Sequence, residues 1–173
     1  MKRLIIILIV LFVVFGFFLF TEPGLDILQG IPDSNRGASW APFAYYYIGR
    51  LHSVVGRHER SIEICGLIQK SYWKEMGDAS YIENEFGMYY VPVALYCEGV
   101  GQEALGDVEL AEADKRRAKG DDAGSDAYRL KAQRYYANAR ECFLSFTDNF
   151  NRHELYPKAN RRLNIINELK SPP

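Results

Sequence analysis

YYYIGRLHSVVGRHERSIEICGLIQ, residues Tyr45 to Gln69, is the stretch whose reading decides the fold. Before Gly56, Phe43, Tyr46, Tyr47, Leu51, Val54 and Val55 recur at three and four residues; after it, Ile62, Cys65, Ile68 and Gln69 do the same. That period gathers side chains on one face of a helix. A glycine between two such runs supplies the positive φ that ends the first, and Arg57 to Glu59 open the second. Two antiparallel helices joined at Gly56 are expected.

The period continues downstream. A third helix is expected between Phe86-Gly87 and Gly106-Asp107, with Tyr89, Tyr90, Val93, Ala94, Cys97 and Gly101 on its stripe and Pro92 near its start. Asp107 has the side chain to cap a fourth, charged helix running to Lys119. The cluster Gly120 to Asp126 reads as a turn, and a long fifth helix should follow from about Asp126 to Phe146, its stripe including Tyr128, Leu130, Ala132, Tyr135, Tyr136, Ala139, Cys142 and Phe143. Pro157 suits the first turn of a sixth, with Ala159, Leu163, Ile166 and Leu169 apolar and Lys158, Arg161 and Arg162 outward. No segment alternates as a strand would, so the fold is expected to be all-α.

Upstream the pattern changes. Residues 21–39 are rich in Gly, Pro, Asp, Ser and Asn with isolated apolar residues, which reads as an extended linker. Before it, Leu4 to Phe20 form seventeen uninterrupted apolar residues behind Met1-Lys2-Arg3. As a helix they would rise about 25 Å, close to the ~30 Å of a bilayer core. A cleavable secretory signal starts in the same way, but its apolar region is about 7 to 15 residues and ends in small residues, where this chain has Phe17-Phe18-Leu19-Phe20. Residues 1–20 are therefore expected to be a transmembrane signal-anchor helix, and residues 40–170 the helical domain. With Lys2 and Arg3 ahead of the span and Glu22 and Asp26 behind it, the expected placement is a single-pass inner (cell) membrane protein, N-terminus cytoplasmic and helical domain periplasmic or extracytoplasmic. The run holds no ionisable residue, so it reads as an anchor and not a conduction path.

The chain has 21 basic and 22 acidic residues; with Lys2 and Arg3 set aside the remainder carries about −3. Nucleic-acid binding needs a strongly basic face, and none is expected here. Aromatic residues make up 14% of the chain, with five of the ten Phe in the apolar run and all 12 Tyr beyond it. A Tyr-rich helical domain has aromatic-filled grooves or a binding surface. Cys65, Cys97 and Cys142 form no C-x-x-C pair and stand at no metal-ligand spacing. Each falls on an apolar stripe, the setting of a buried small hydrophobe; a Cys65 to Cys97 disulfide is the alternative.

Tyr45, Ile48, Gly49, His52, Gly56, His58, Ser61, Cys65, Ile68 and Trp73 together resemble the tetratricopeptide repeat, a helix pair of about 34 residues. Ser61 replaces the usual Ala, Cys65 the usual Phe, and Trp73 stands where Pro would close the repeat. Gly99, Gly106 and Ala111 repeat the Gly49, Gly56 and Ser61 spacing 50 residues later, with Trp73 to Asn84 as the inserted segment. Ala139, Phe143, Phe146 and the stretch Glu154 to Leu163 are similar to the closing repeat of envelope proteins of the outer-membrane assembly lipoprotein type, although the lipobox of those proteins is missing. The resemblance implies antiparallel helix pairs stacked as a short solenoid, here preceded by one transmembrane helix. It also implies that the first helix of each pair lines a concave face that holds partners. By spacing, the partner-binding positions are Phe43, Tyr46, Arg50, Ser53 and Val54 in the first repeat and Val93, Tyr96, Val100 and Glu103 in the second.

Reactive chemistry finds no foothold in the pattern. His52, His58 and His153 form no H-x-x-H or H-E-x-x-H, and Asp121-Asp122 lie in a polar turn with nothing to raise a carboxyl pKa. The run Lys115 to Lys119 follows Glu109, Glu112 and Asp114 at ion-pair spacing on an exposed helix. No enzyme activity, catalytic residue, cofactor, metal or small-molecule substrate is expected. Two functions remain: a membrane-anchored scaffold or adaptor for protein partners, attached through the N-terminal helix, or a permanent accessory subunit of a large membrane complex such as a respiratory, photosynthetic or secretion assembly.

Overall fold

The computed structural model describes residues 10–16, 21–72 and 87–170, and the regular structure of these residues is helical throughout. Among the described residues six helices follow residue 20: α1 (Glu22–Asp33), α2 (Ala41–Val54), α3 (His58–Tyr72), α4 (Gly87–Ala118), α5 (Asp122–Asn149) and α6 (Tyr156–Ile165), the last continuing into a π-helical turn, Ile166–Lys170. Among the described residues no helix is long and apolar enough to cross a membrane. This corrects the expected fold, in which a transmembrane helix precedes the helical domain. Of Leu4 to Phe20 only residues 10–16 are described; they are helical, and at about 1.5 Å per residue they fall well short of a bilayer. The rest of that expected span lies outside the described residues, as does the expected insertion from Trp73 to Asn84.

The α2–α3 hairpin forms where its spacing placed it. Ala41, Tyr45, Ile48, Gly49 and His52 are buried along α2. Gly56 adopts φ 80° and Arg57 N donates to His52 O at 2.8 Å, the six-to-one bond that closes a helix with a left-handed residue. Residues 21–39, expected as an extended linker, are corrected to a helix over Glu22–Asp33. Thr21 Oγ1 accepts from Gly24 N at 3.2 Å, Pro23 occupies the first turn where its missing N–H costs nothing, and Leu25, Gln29 and Pro32 recur on the buried side. The Gly and Pro content that suggested a tether is compatible with a short helix once α2 covers it. Tyr45 Oη donates to Asp33 Oδ1 at 2.8 Å and pins the end of α1 to α2. Burial works to raise the Asp33 carboxyl, but hydrogen bonds from Tyr45 and Arg36 outweigh it and hold the group low; burial and that carboxylate push Tyr45 up to about 12.

The expected third and fourth helices are one. α4 runs 32 residues without a break, past Pro92 and through Gly106 and Asp107. Gly106 is not a turn: a Cβ there would stand 2.5 Å from Cε1 of Tyr136, so the glycine admits the ring of α5 against the helix. Asp107 is not a cap: its Oδ1 accepts from Tyr136 Oη at 2.6 Å. The true turn comes at Gly120, with φ 79°, where Asp121 caps α5 through Gly124 N at 2.9 Å. That hydrogen bond, with the Arg116 pairing, holds the Asp121 carboxyl below its usual range.

Two cores flank α4. Ala41, Tyr45, Ile48, Ile64, Cys65 and Ile68 pack with Tyr90, Val91 and Ala94 on one side. Tyr136, Ala139, Phe143, Phe146, Ala159, Leu163 and Ile166 pack with Leu95 on the other. Cys65, Cys97 and Cys142 are free thiols, so the Cys65 to Cys97 disulfide alternative is not formed. His52 is fully buried on α2, and among the described residues neither ring nitrogen finds a hydrogen-bond partner. Burial first, then the nearby Arg57 and Arg60 charges, depress its pKa, while Asp26 and Glu22 oppose weakly.

Gly106→Ala should cost up to about 2 kcal/mol net, because overpacking against Tyr136 outweighs the ~1 kcal/mol helix-propensity gain; urea unfolding at constant slope reads it, and a stabilised variant would mean Tyr136 moves aside freely. Because the unfolded chain takes a proton on His52 before the folded one does, stability present at neutral pH should be lost as pH falls through about 6.5. His153, also depressed by burial, acts in the same direction. Denaturation midpoints at pH 7.5 and 5.5 should differ in the wild type and differ less in His52→Phe.

Candidate docking groove

α2, α4 and α6 enclose a groove. Its main lobe, the smaller at about 210 Å³ but the one that α2, α4 and α6 all line, is bounded by Arg50, Ser53 and Val54 of α2, Ser61 of α3, Tyr96, Cys97 and Val100 of α4, and Arg162 of α6. A second lobe, about 330 Å³, continues between Tyr96 and Glu103 of α4 and Lys158, Arg161, Arg162 and Ile165 of α6. Residues 50, 53 and 54 share a face of α2 because they are three and four apart, as are 96, 100 and 103 on α4. Helical spacing alone therefore assembles two of the three walls.

The nine sequence-chosen positions are distributed unequally. Arg50, Ser53, Val54, Tyr96 and Val100 meet in the main lobe, and Glu103 joins Tyr96 in the second. Phe43 and Tyr46 lie further along α2 in an aromatic shelf: the Phe43 and Tyr47 rings are 4.6 Å apart and tilted, and Tyr46 lies 5.7 Å from Tyr90. Val93 is out of reach, only 3% exposed and inside the core; it is corrected to a packing residue. Tyr90 to Leu95 are buried without interruption, so the outward stripe of α4 begins only at Tyr96.

Arg162 ties the third wall to the floor. Its Nη1 donates to Glu103 Oε2 at 2.6 Å and its Nε to Tyr96 Oη at 3.2 Å. Burial works against the Arg162 charge, but these bonds outweigh it and raise its pKa. Tyr96 in turn rests on Phe143 and Phe146, with centroids 5.8 and 6.1 Å away, so its ring belongs to the core and its hydroxyl to the groove. Arg50 is held by Tyr46, donating to its Oη at 3.0 Å. Cys97 is the thiol lining the main lobe, and burial pushes it up, away from an activated nucleophile. Among the described residues no three His, Cys, Asp or Glu side chains are grouped to hold a metal ion.

The α6 wall was missing from the residues chosen by spacing. Lys158, Arg161 and Arg162 were read as the solvated face of a terminal helix; their three-and-four spacing marks one face but does not say what lies opposite. Comparison with family models, with curated proteins and with solved structures gave no match. The likeness to tetratricopeptide repeats thus rests on residue spacing.

Arg162→Ala should destabilise the protein by about 2 kcal/mol, since it removes the cation paired with the largely buried Glu103 carboxylate. The double change Glu103→Leu with Arg162→Met should recover part of that loss in urea titrations; an additive loss would show that the pair does not couple.

Proposed function

We propose that this chain is a non-catalytic helical scaffold that holds a segment of a partner protein in the groove between α2, α4 and α6. The observation that carries the proposal is the convergence of Arg50, Ser53, Val54, Tyr96 and Val100, chosen by repeat spacing, on one open lobe. A cleft with an apolar side, a few fixed polar groups and an adjoining exposed aromatic shelf suits a peptide, whose affinity comes from a small number of anchors. Phe43 and Tyr47 are 44% and 51% exposed, and exposed aromatics beside a groove are the residue type enriched where proteins meet. Several of the polar groups are engaged in structure: Glu103 with Arg162, Tyr46 with Arg50, and the Cys97 thiol kept protonated by burial.

Ser53→Trp tests the proposal, because the indole would fill the main lobe from α2 while leaving both cores untouched. The intact chain and the variant are compared in affinity capture with quantitative mass spectrometry. The variant should keep its circular dichroism spectrum and melting temperature and lose its captured protein by about tenfold or more. Equal capture by both would place partner binding elsewhere.

A further inference from the structure

Charge is distributed unevenly around the groove. Its two lobes are lined by four cations, Arg50, Lys158, Arg161 and Arg162, and by one carboxylate, Glu103, in a chain whose net charge is −1. Glu103 is committed to Arg162. Arg50, Lys158 and Arg161 form no ion pair among the described residues. Among the described residues, three positive charges without an ion-pair partner therefore surround an opening in a protein that is slightly acidic overall. Arg50 is fixed in place as well as charged, hydrogen-bonded to Tyr46 Oη and 5.9 Å from the centre of that ring. A fixed guanidinium loses little freedom when it meets a carboxylate.

The opposite end of the same α2 face is apolar. Phe43 and Tyr47 present exposed rings there. From Phe43 to Val54 the helix rises about 16 Å, the length of about five residues of extended chain. One short segment of about that length can thus reach from the aromatic shelf to Arg50 and the main lobe, and a few residues more carry it past Tyr96 to the second.

We infer that the groove takes an acidic, extended segment of a partner protein, its carboxylates between Arg50 and the Lys158–Arg161 edge and its apolar side chains on the Phe43–Tyr47 shelf. This rests on the docking function proposed above and gives it a ligand class. A nucleic acid fits less well, because proteins that hold phosphate backbones neutralise about six to ten phosphates, and three free cations beside an apolar-lined lobe supply too few. Opposite charge also favours fast encounter, which salt should weaken.

Fluorescence anisotropy on the intact chain decides the matter. The probes are a fluorescein-labelled peptide of alternating leucine and proline followed by a run of glutamates, the same peptide with lysines in place of the glutamates, and a labelled single-stranded oligonucleotide of similar length. The glutamate peptide should bind at least about tenfold more tightly than the lysine peptide and weaken as salt rises. Lys158→Glu with Arg161→Glu should weaken it about tenfold, and Lys158→Arg with Arg161→Lys should not. Arg50→Gln gives a second readout from another helix should the double reversal disturb α6. No binding of the glutamate peptide, equal binding of the lysine peptide, an affinity indifferent to the charge reversals, or tighter binding of the oligonucleotide would overturn the inference. Ser53→Trp separates the two levels. If it abolishes partner capture while charge reversal changes nothing, only the acidic ligand class fails; if the glutamate peptide binds Ser53→Trp unchanged, the groove itself is the wrong site.

Discussion

Between Tyr90 and Leu95, α4 is enclosed on every side, and the rest of the molecule is arranged around that burial. A helix that meets water on none of its faces can be stable only where two separate layers supply its contacts. Here α2 and α3 supply one and α5 and α6 the other. Pro92 lies in the same buried stretch, and the packing on both sides carries the helix past it unbroken although its missing N–H removes one intrahelical bond. Phe143 and Phe146, both fully buried, anchor the second layer, at roughly 1.5–3 kcal/mol of apolar transfer each. Without α4 neither core would have its second wall.

That enclosure also explains which parts of the fold were legible in the sequence. α3, α5 and α6 each bury one face, and their apolar residues repeat at three and four positions. α2 buries Ala41, Tyr45, Ile48 and His52, whereas Phe43, Tyr47 and Val54 of the stripe read from its sequence stay exposed. Gly56 and Gly120 punctuate the helices at true turns. α4 has no such contrast between Tyr90 and Leu95, so its limits had to be inferred from Gly and Asp, and the inference failed at Gly106-Asp107. Both residues have the chemistry of a turn and a cap, yet both serve the Tyr136 side chain of another helix. A single sequence contains no sign of a ring arriving from 30 positions away. α1 was missed for a related reason: Pro23, Gly24, Gly30 and Pro32 look like breakers, yet Pro23 falls in the first turn, Gly24 and Pro32 are covered by the neighbouring surface, and the exposed Gly30 is carried along.

The groove was legible to a similar degree. Two walls are helix faces and follow from spacing; Val93 failed because the same spacing does not say how deep a helix is buried. The third wall is a tertiary event. Arg162 comes within reach of α2 and α4, and Lys158 and Arg161 within reach of α4, only because α5 returns the chain along α4 and α6 then folds back on α5 through Ala159 and Leu163.

Arg162 lies at the junction of these matters. One guanidinium closes the groove, compensates Glu103 and orients Tyr96, whose ring is packed on the second core. Shape and polarity of the cleft are therefore mechanically yoked. A sequence change that retuned the cleft's charge through this residue would also unseat the terminal helix, whereas Lys158 and Arg161, free of such duties, are where ligand preference can drift during divergence without endangering the scaffold.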